Sequence, residues 1–296
     1  MKNRTAFTMI ELIFVIVIMG IIGKFGVEFL AQAYKSFIFS SVNNTLQQNS
    51  ANAVEFIGSR LQYRIKDSTI ARVGVGTPPV AIGSALDSSY TVLEWVASDV
   101  DSFRGDATPS WSAIIDLDAS SATTLVSPGS NTGNIDTLVN VLSYGDSGIE
   151  DTALYFIGAN SDVVSGYGWD GNLTLVNAQQ GTMHPVNISG NVNEFVSSTG
   201  TDFTGVDLYE YYKLAWTANA IVYTDDGTGK SKGTLTFWYD YQPWLGESYS
   251  DGKSATIMED ISTFQFMAID SIIKIQVCVK SDLVEEYSLC KEKTIF

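Results

Sequence analysis

Glu11 heads an apolar run from Leu12 to Ile22 that only Gly20 interrupts. A carboxylate in bilayer hydrocarbon costs roughly 2.5 kcal/mol or more when unpaired, so this position calls for a partner. Other residues able to do chemistry are sparse. Asp99, Asp101 and Asp106 bring three carboxylates into one loop-like stretch, and Asp225 and Asp226 open another. Calcium takes such oxygen clusters, which makes Asp99, Asp101 and Asp106 the candidate metal ligands. Neither stretch has the alternate spacing of an EF-hand loop with its glycine and closing glutamate, and both read more simply as acidic solvated loops. Gly166-Tyr167-Gly168-Trp169-Asp170-Gly171 matches G-x-G-x-x-G. A dinucleotide site needs a helix after that motif, and the residues from Asn172 on are strand-like, so a glycine-rich turn is expected. His184 has no Cys, Ser or acid beside it to build a triad or metal set, and reads as a loop histidine. Trp238 and Trp244 could line a carbohydrate or peptide surface, but core and turn packing is the simpler reading.

The bulk composition narrows the classes. The chain has 296 residues, 45% of them hydrophobic and 12% aromatic, enough to bury a real core. Its formal charge is -16, with 33 acids against 17 bases, and no run of Lys or Arg makes a basic groove. That field repels phosphate backbones, so no nucleic-acid partner is expected. The two cysteines are Cys278 and Cys290. In an exported chain such a pair reads as a disulfide, and in a cytosolic chain as two free thiols. The N-terminus therefore decides the cysteine chemistry.

Three readings of the N-terminus compete. In a secretory signal peptide, Lys2 and Arg4 would form the basic region and Ala31-Gln32-Ala33 the cleavage site before Tyr34. Glu11 has no purpose there, and the stretch from Gly23 to Ala33 is long for a cleavage region and carries Lys24 and Glu28. In a plain membrane anchor the apolar run from Phe7 to the Gly23-Lys24 pair falls short of the ~20 residues usually needed, unless Lys24 snorkels. Glu11 again goes unexplained.

The third reading explains it. Ala6-Phe7-Thr8-Met9-Ile10-Glu11 resembles the processing site of type IV pilins and type II secretion pseudopilins. The resemblance implies a basic leader, Met1 to Ala6, cut by prepilin peptidase before Phe7, and methylation of the new Phe7 amine. It places Glu11 at the family's assembly glutamate. Subunits stacking in a filament would bring that amine to the Glu11 carboxylate of a neighbour, so that two charges costly in lipid neutralise each other. The family usually has Gly before the cut, so Ala6 implies slower cleavage. Many major pilins also carry a kinking Pro in this helix, and none occurs here before Pro78.

The same periodicity continues beyond the apolar run. Val54, Ile57, Leu61 and Ile65 recur at three and four residues, and stop signals begin at Asp67-Ser68-Thr69. One helix is expected over 7–66, its first half in a membrane or filament core and its second under a head spanning 67–296. From Arg72 on, short β-rich runs alternate with Gly, Ser, Asp and Asn clusters. Expected strands are 91–96, 113–117, 153–157, 173–176, 214–217, 221–224, 233–241, 262–268, 271–280 and 286–296. A Cys278–Cys290 bond would staple the last hairpin, as pilins often close a C-terminal loop. The stretch from Met258 to Val279 is similar to the last strands of J-type minor pseudopilins.

The expected fold class is α+β, pilin-like: a long N-terminal helix packed on a β-rich head with antiparallel sheet. The resemblance implies a minor pilin or pseudopilin, non-enzymatic and without cofactor, held in the inner membrane with its head periplasmic. Its partners would be other pilin subunits through the helix, and the peptidase. Two alternatives stand: a pilus-tip adhesin whose aromatic head binds sugar or protein, and an exported enzyme that uses the N-terminus only as an address, against which the sequence offers no nucleophile–base–acid set.

Overall fold

The computed structural model describes residues 8–104, 108–159, 162–174, 181–198, 202–227, 232–281 and 287–296. Ala6, Phe7 and Asp106 therefore lie outside the described residues. Helix α1 runs Met9–Leu61, 53 residues, or about 80 Å at 1.5 Å per residue. Thr8 starts it in an extended conformation, and its N–H and hydroxyl donate to Glu11 Oε2 at 3.4 and 3.3 Å. A carboxylate three residues in satisfies part of the unpaired first turn in this way.

The helix stops at Leu61 rather than Lys66 because the sheet captures the next residues. Arg64 forms a bridge with Ala97, and the Ile65 N–H donates to the Val96 carbonyl at 2.9 Å. Lys66–Ser68 is a single 3₁₀ turn. The helical periodicity that reaches Ile65 is real, but Ile65 is buried as part of the sheet edge instead.

The strands are β1 (Ile70–Arg72), β2 (Val80–Ala81), β3 (Val92–Ala97), β4 (Leu125–Val126), β5 (Ala153–Phe156), β6 (Met183–Ile188), β7 (Glu194–Ser197), β8 (Tyr212–Ala215), β9 (Thr217–Asp225), β10 (Gly233–Tyr239), β11 (Lys253–Ile269), β12 (Ile272–Lys280) and β13 (Ser288–Ile295). Among the described residues they form two antiparallel sheets. The larger has eight strands in the order β13-β12-β11-β10-β9-β3-β1-β2, and the smaller five in the order β4-β7-β6-β5-β8. The α+β expectation is met: one long apolar helix with antiparallel sheets.

Strand β11 makes the larger sheet curl. Its first part pairs with β10 and its second with β12, with register shifts near Leu235 and Ile261. Asp260, at the changeover, has φ +59. Bulges of this kind bend a strand and sharpen its twist. One face of this sheet receives the last part of α1. Gly58 lies against the Lys293 side chain on β13, Phe56 meets the Phe237 ring on β10 at 5.2 Å, and Arg64 donates to the Ser271 carbonyl in the β11–β12 turn. Ala53, Val54, Ile57 and Leu61 share one core cluster with Trp95, Ile221, Phe264 and Ile275.

A second cluster fills the opposite face of the sheet, and a third joins the smaller sheet to helix α2 (Thr132–Leu142). Sequence reading missed α2. Its signals are Asn131, whose side chain accepts from the Asn134 N–H, and buried Ile135 and Val139 four residues apart.

Two expected strands are corrected. Residues 113–117 make only isolated bridges, Ile114 with Tyr211 and Asp116 with Val126, because Ala113 turns the chain at φ +65. Leu173 and Thr174 are not in a strand, and the rest of that stretch lies outside the described residues.

Cys278 and Cys290 face each other across β12 and β13 and are disulfide-bonded. Closing so short a loop stabilises by about 3 kcal/mol in the chain-entropy model. Replacing both cysteines by alanine is expected to lower the urea midpoint correspondingly. An unchanged midpoint would mean that strand pairing alone holds the hairpin.

Candidate functional site: the free half of the helix

Among the described residues, no other part of the chain covers the apolar half of α1. Its side chains are exposed from Met9 through Phe37, with Phe14 67% and Met19 71% accessible. Its most apolar window has mean hydropathy 2.3, and none of that window is buried. A span of ~20 such residues crosses about 30 Å of hydrocarbon, so the helix is long and apolar enough to cross a membrane. Lys24 and Glu28 face each other one turn apart at 3.9 Å. This pair lowers the cost of the charges that interrupt the apolar surface. Gly20, Gly23 and Gly26 have open space where a side chain would stand, so this stretch lets another helix approach closely.

Glu11 is exposed at the start of that half, and among the described residues its partners are the Thr8 N–H and hydroxyl. Those are neutral donors. The carboxylate keeps lone pairs available for a cation, the requirement that its position raises.

The other sequence candidates have structural roles. Asp99 is 4% exposed and its oxygens are already taken. Oδ1 accepts from the Asp101 and Ser102 N–H groups, and Oδ2 from Ser102 Oγ and Trp111 Nε1. Burial pushes its carboxyl up, against the downward pull of these Ser102 and Trp111 hydrogen bonds. Asp101 pairs with Arg104 at 2.9 Å. These two carboxylates stabilise their own loop and are not arranged as a calcium shell.

His184 is not in a loop. It is buried on β6 with its ring 5.5 Å from Phe156. The glycine-rich stretch is a turn: Gly168 has φ +81, and a Cβ there would lie 2.2 Å from the Pro243 carbonyl oxygen. Trp244 is fully buried and donates to the Asp151 carbonyl at 3.0 Å, while Trp238 is half-buried against Tyr249.

One buried network escaped the sequence reading. Glu94 on β3 is 1% exposed and accepts from Arg72 Nε at 2.6 Å and from the Tyr241 hydroxyl at 3.0 Å. Burial pushes Glu94 up, against the pull of the Arg72 guanidinium. Arg72 also donates to the Thr77 and Trp169 carbonyls. The signal was present, since Val92, Glu94 and Val96 alternate onto one strand face.

Comparisons with protein-family models, curated proteins and solved structures returned no match.

Asp99 gives a pH test. Its folded pKa lies above the unfolded one, so its contribution to stability is complete below the ordinary carboxylate range, about 4, and falls as pH rises through the folded value. Asp99→Asn, which sets an NH₂ against existing donors, is expected to destabilise by about 1–3 kcal/mol. That cost should be larger at acid than at neutral pH in urea titrations. A cost that grows toward neutral pH would contradict the assignment.

Proposed function

We propose that this chain is a filament subunit of the pilin and pseudopilin class, anchored and assembled through the free half of α1. The observation that carries the reading is the division of one helix: its last part is locked in the head, while its first part presents an apolar run over 12–22 and starts with an acceptor, Glu11, that has no cation beside it among the described residues. A helix apolar all round is stable only in lipid or among other apolar helices. A filament core supplies the second after the membrane supplies the first.

In this reading the leader stays cytoplasmic, since Lys2 and Arg4 favour that side, and the head is periplasmic. The disulfide-bonded last hairpin fits that oxidising side. Cleavage before Phe7 leaves an amine that methylation keeps charged, and the Glu11 of a neighbouring subunit neutralises it. An out-of-step subunit would leave both charges unpaired in apolar surroundings, so the pair sets the register. The head, with two sheets and a second helix, is bulky for a subunit that repeats densely. That favours a minor subunit at the tip. The role is structural rather than catalytic.

Glu11→Ala removes the acceptor without touching the head. The variant is expected to be processed normally and to reach the membrane, but to enter filaments at least tenfold less, since each mispaired charge costs more than the ~1.4 kcal/mol of a tenfold change. Wild-type incorporation of Glu11→Ala, scored by quantitative immunoblot of sheared filaments, would remove this role of Glu11.

A further inference from the structure

Where α1 ends, the large sheet continues beneath it, and a cleft of about 780 Å³ opens over β3, β9 and β10. Small-ligand pockets commonly span about 300–1,000 Å³. The floor holds an unusual group. On β9, Ala218 and Ala220 belong to the far-face core while Ile221 packs under the helix. Alternation therefore turns Asn219 to the helix side, where it lines the cleft. Asn219 is 4% exposed, and its side-chain amide reaches the solvent of the cleft rather than being sealed in the core. That amide can offer two donor hydrogens and an acceptor to whatever enters.

Aromatic rings surround it. Tyr63 and Tyr144 stand on the rim at 41% and 83% exposure, and Phe237 and Tyr239, stacked with centroids 5.5 Å apart, line the cleft below. Tyr144 is held at φ +59, a backbone region that a bulky side chain rarely takes.

The charges around the cleft are already engaged, including Lys253, whose ammonium lies 5.6 Å over one face of the Tyr144 ring and pairs with Asp146 and Asp240. Asp99 is saturated by its own loop, Asp101 pairs with Arg104, and Arg60 lies 5.6 Å over the rings of Phe56 and Phe237. Each of these charged groups thus already has an opposite charge, hydrogen-bond donors or an aromatic ring against it. The strands of the floor are also paired on both sides, β3 by β1 and β9, β9 by β3 and β10, and β10 by β9 and β11. A peptide therefore finds no free edge to extend.

We infer that this cleft binds a neutral, hydroxyl-rich ligand, an oligosaccharide, with the Asn219 amide hydrogen-bonding sugar hydroxyls and Tyr63 and Tyr144 stacking on the apolar faces of the rings. The site belongs to the head and does not rest on the filament reading. Sugars present both a C–H face for aromatic rings and paired donors and acceptors for an amide, which matches this combination of groups.

The test uses the full chain in a polyoxyethylene detergent, which has no sugar headgroup. Maltohexaose, cellohexaose and chitohexaose are titrated separately, read by intrinsic fluorescence and calorimetry. Saturable binding of at least one is expected. Asn219→Ala should weaken it on the order of tenfold or more without lowering the melting temperature, because the amide faces the cleft. Tyr144→Gly, which suits the left-handed backbone, should weaken it similarly. Absence of saturable binding to all three sugars, or binding that both variants leave unchanged, would overturn the site. Saturation by an uncharged Gly-Ser peptide with no response to the sugars would assign the cleft to a peptide and overturn it equally.

Discussion

Ile57 and Leu61 are wholly buried under the curled sheet, while Phe14 and Met19 on the same helix stay about two-thirds exposed or more, at 67% and 71%. One unbroken cylinder must be solvated by protein at one end and by something apolar at the other. Because the backbone satisfies its own hydrogen bonds throughout, α1 can pass between those surroundings without rearranging. The head has only to grip the last part. It does so by packing the helix across one sheet face, with Gly58 against Lys293 on β13 and Phe56 against Phe237 on β10. Contacts at both flanks fix the angle at which the apolar half leaves the head. In the proposed filament reading, that angle is what each assembling subunit would have to reproduce.

The far face of the sheet is held differently. There a charged pair, Arg72 with Glu94, is buried among Tyr241 and the turn carrying Trp169. Such a pair adds little net stability, but removal of one partner leaves a costly unpaired charge. Its geometry links β1, β3, the chain after β10 and the glycine-rich turn, whose Gly168 approaches Pro243 too closely for any side chain. The glycine-rich turn is thereby placed against the far face of the sheet. The two faces thus divide the work, one gripping the helix by apolar contact and the other holding the glycine-rich turn through directed hydrogen bonds.

Legibility in the sequence followed the strength of local signals. The helix was plain because Val54, Ile57 and Leu61 repeat at its period and no proline interrupts it. The final hairpin was plain because residues 272–280 alternate and the cysteines fall opposite each other. The helix end was misjudged because Ile65 fits the helical period yet is taken by pairing with β3, a long-range competitor. Helix α2 was missed because Gly133 and Ser, Thr and Asn residues at its start look like a loop until Asn131 is recognised as its cap. His184 looked like loop sequence beside Pro185, although a proline can sit in a strand where its missing N–H is not needed. The Asn219 cleft had no sequence signature, because residues far apart in the chain compose it. Glu11 was visible at once, since one carboxylate beside so apolar a run contradicts its surroundings.

The most direct measurement of the central claim is the N-terminal mass of the mature protein from its native cells. The account predicts a chain beginning at Phe7 with a methylated amine, so that a permanent cation is available to Glu11 of the next subunit. A chain beginning at Tyr34 would contradict it, because the apolar half of the helix would then have been removed before it could serve as anchor or filament core.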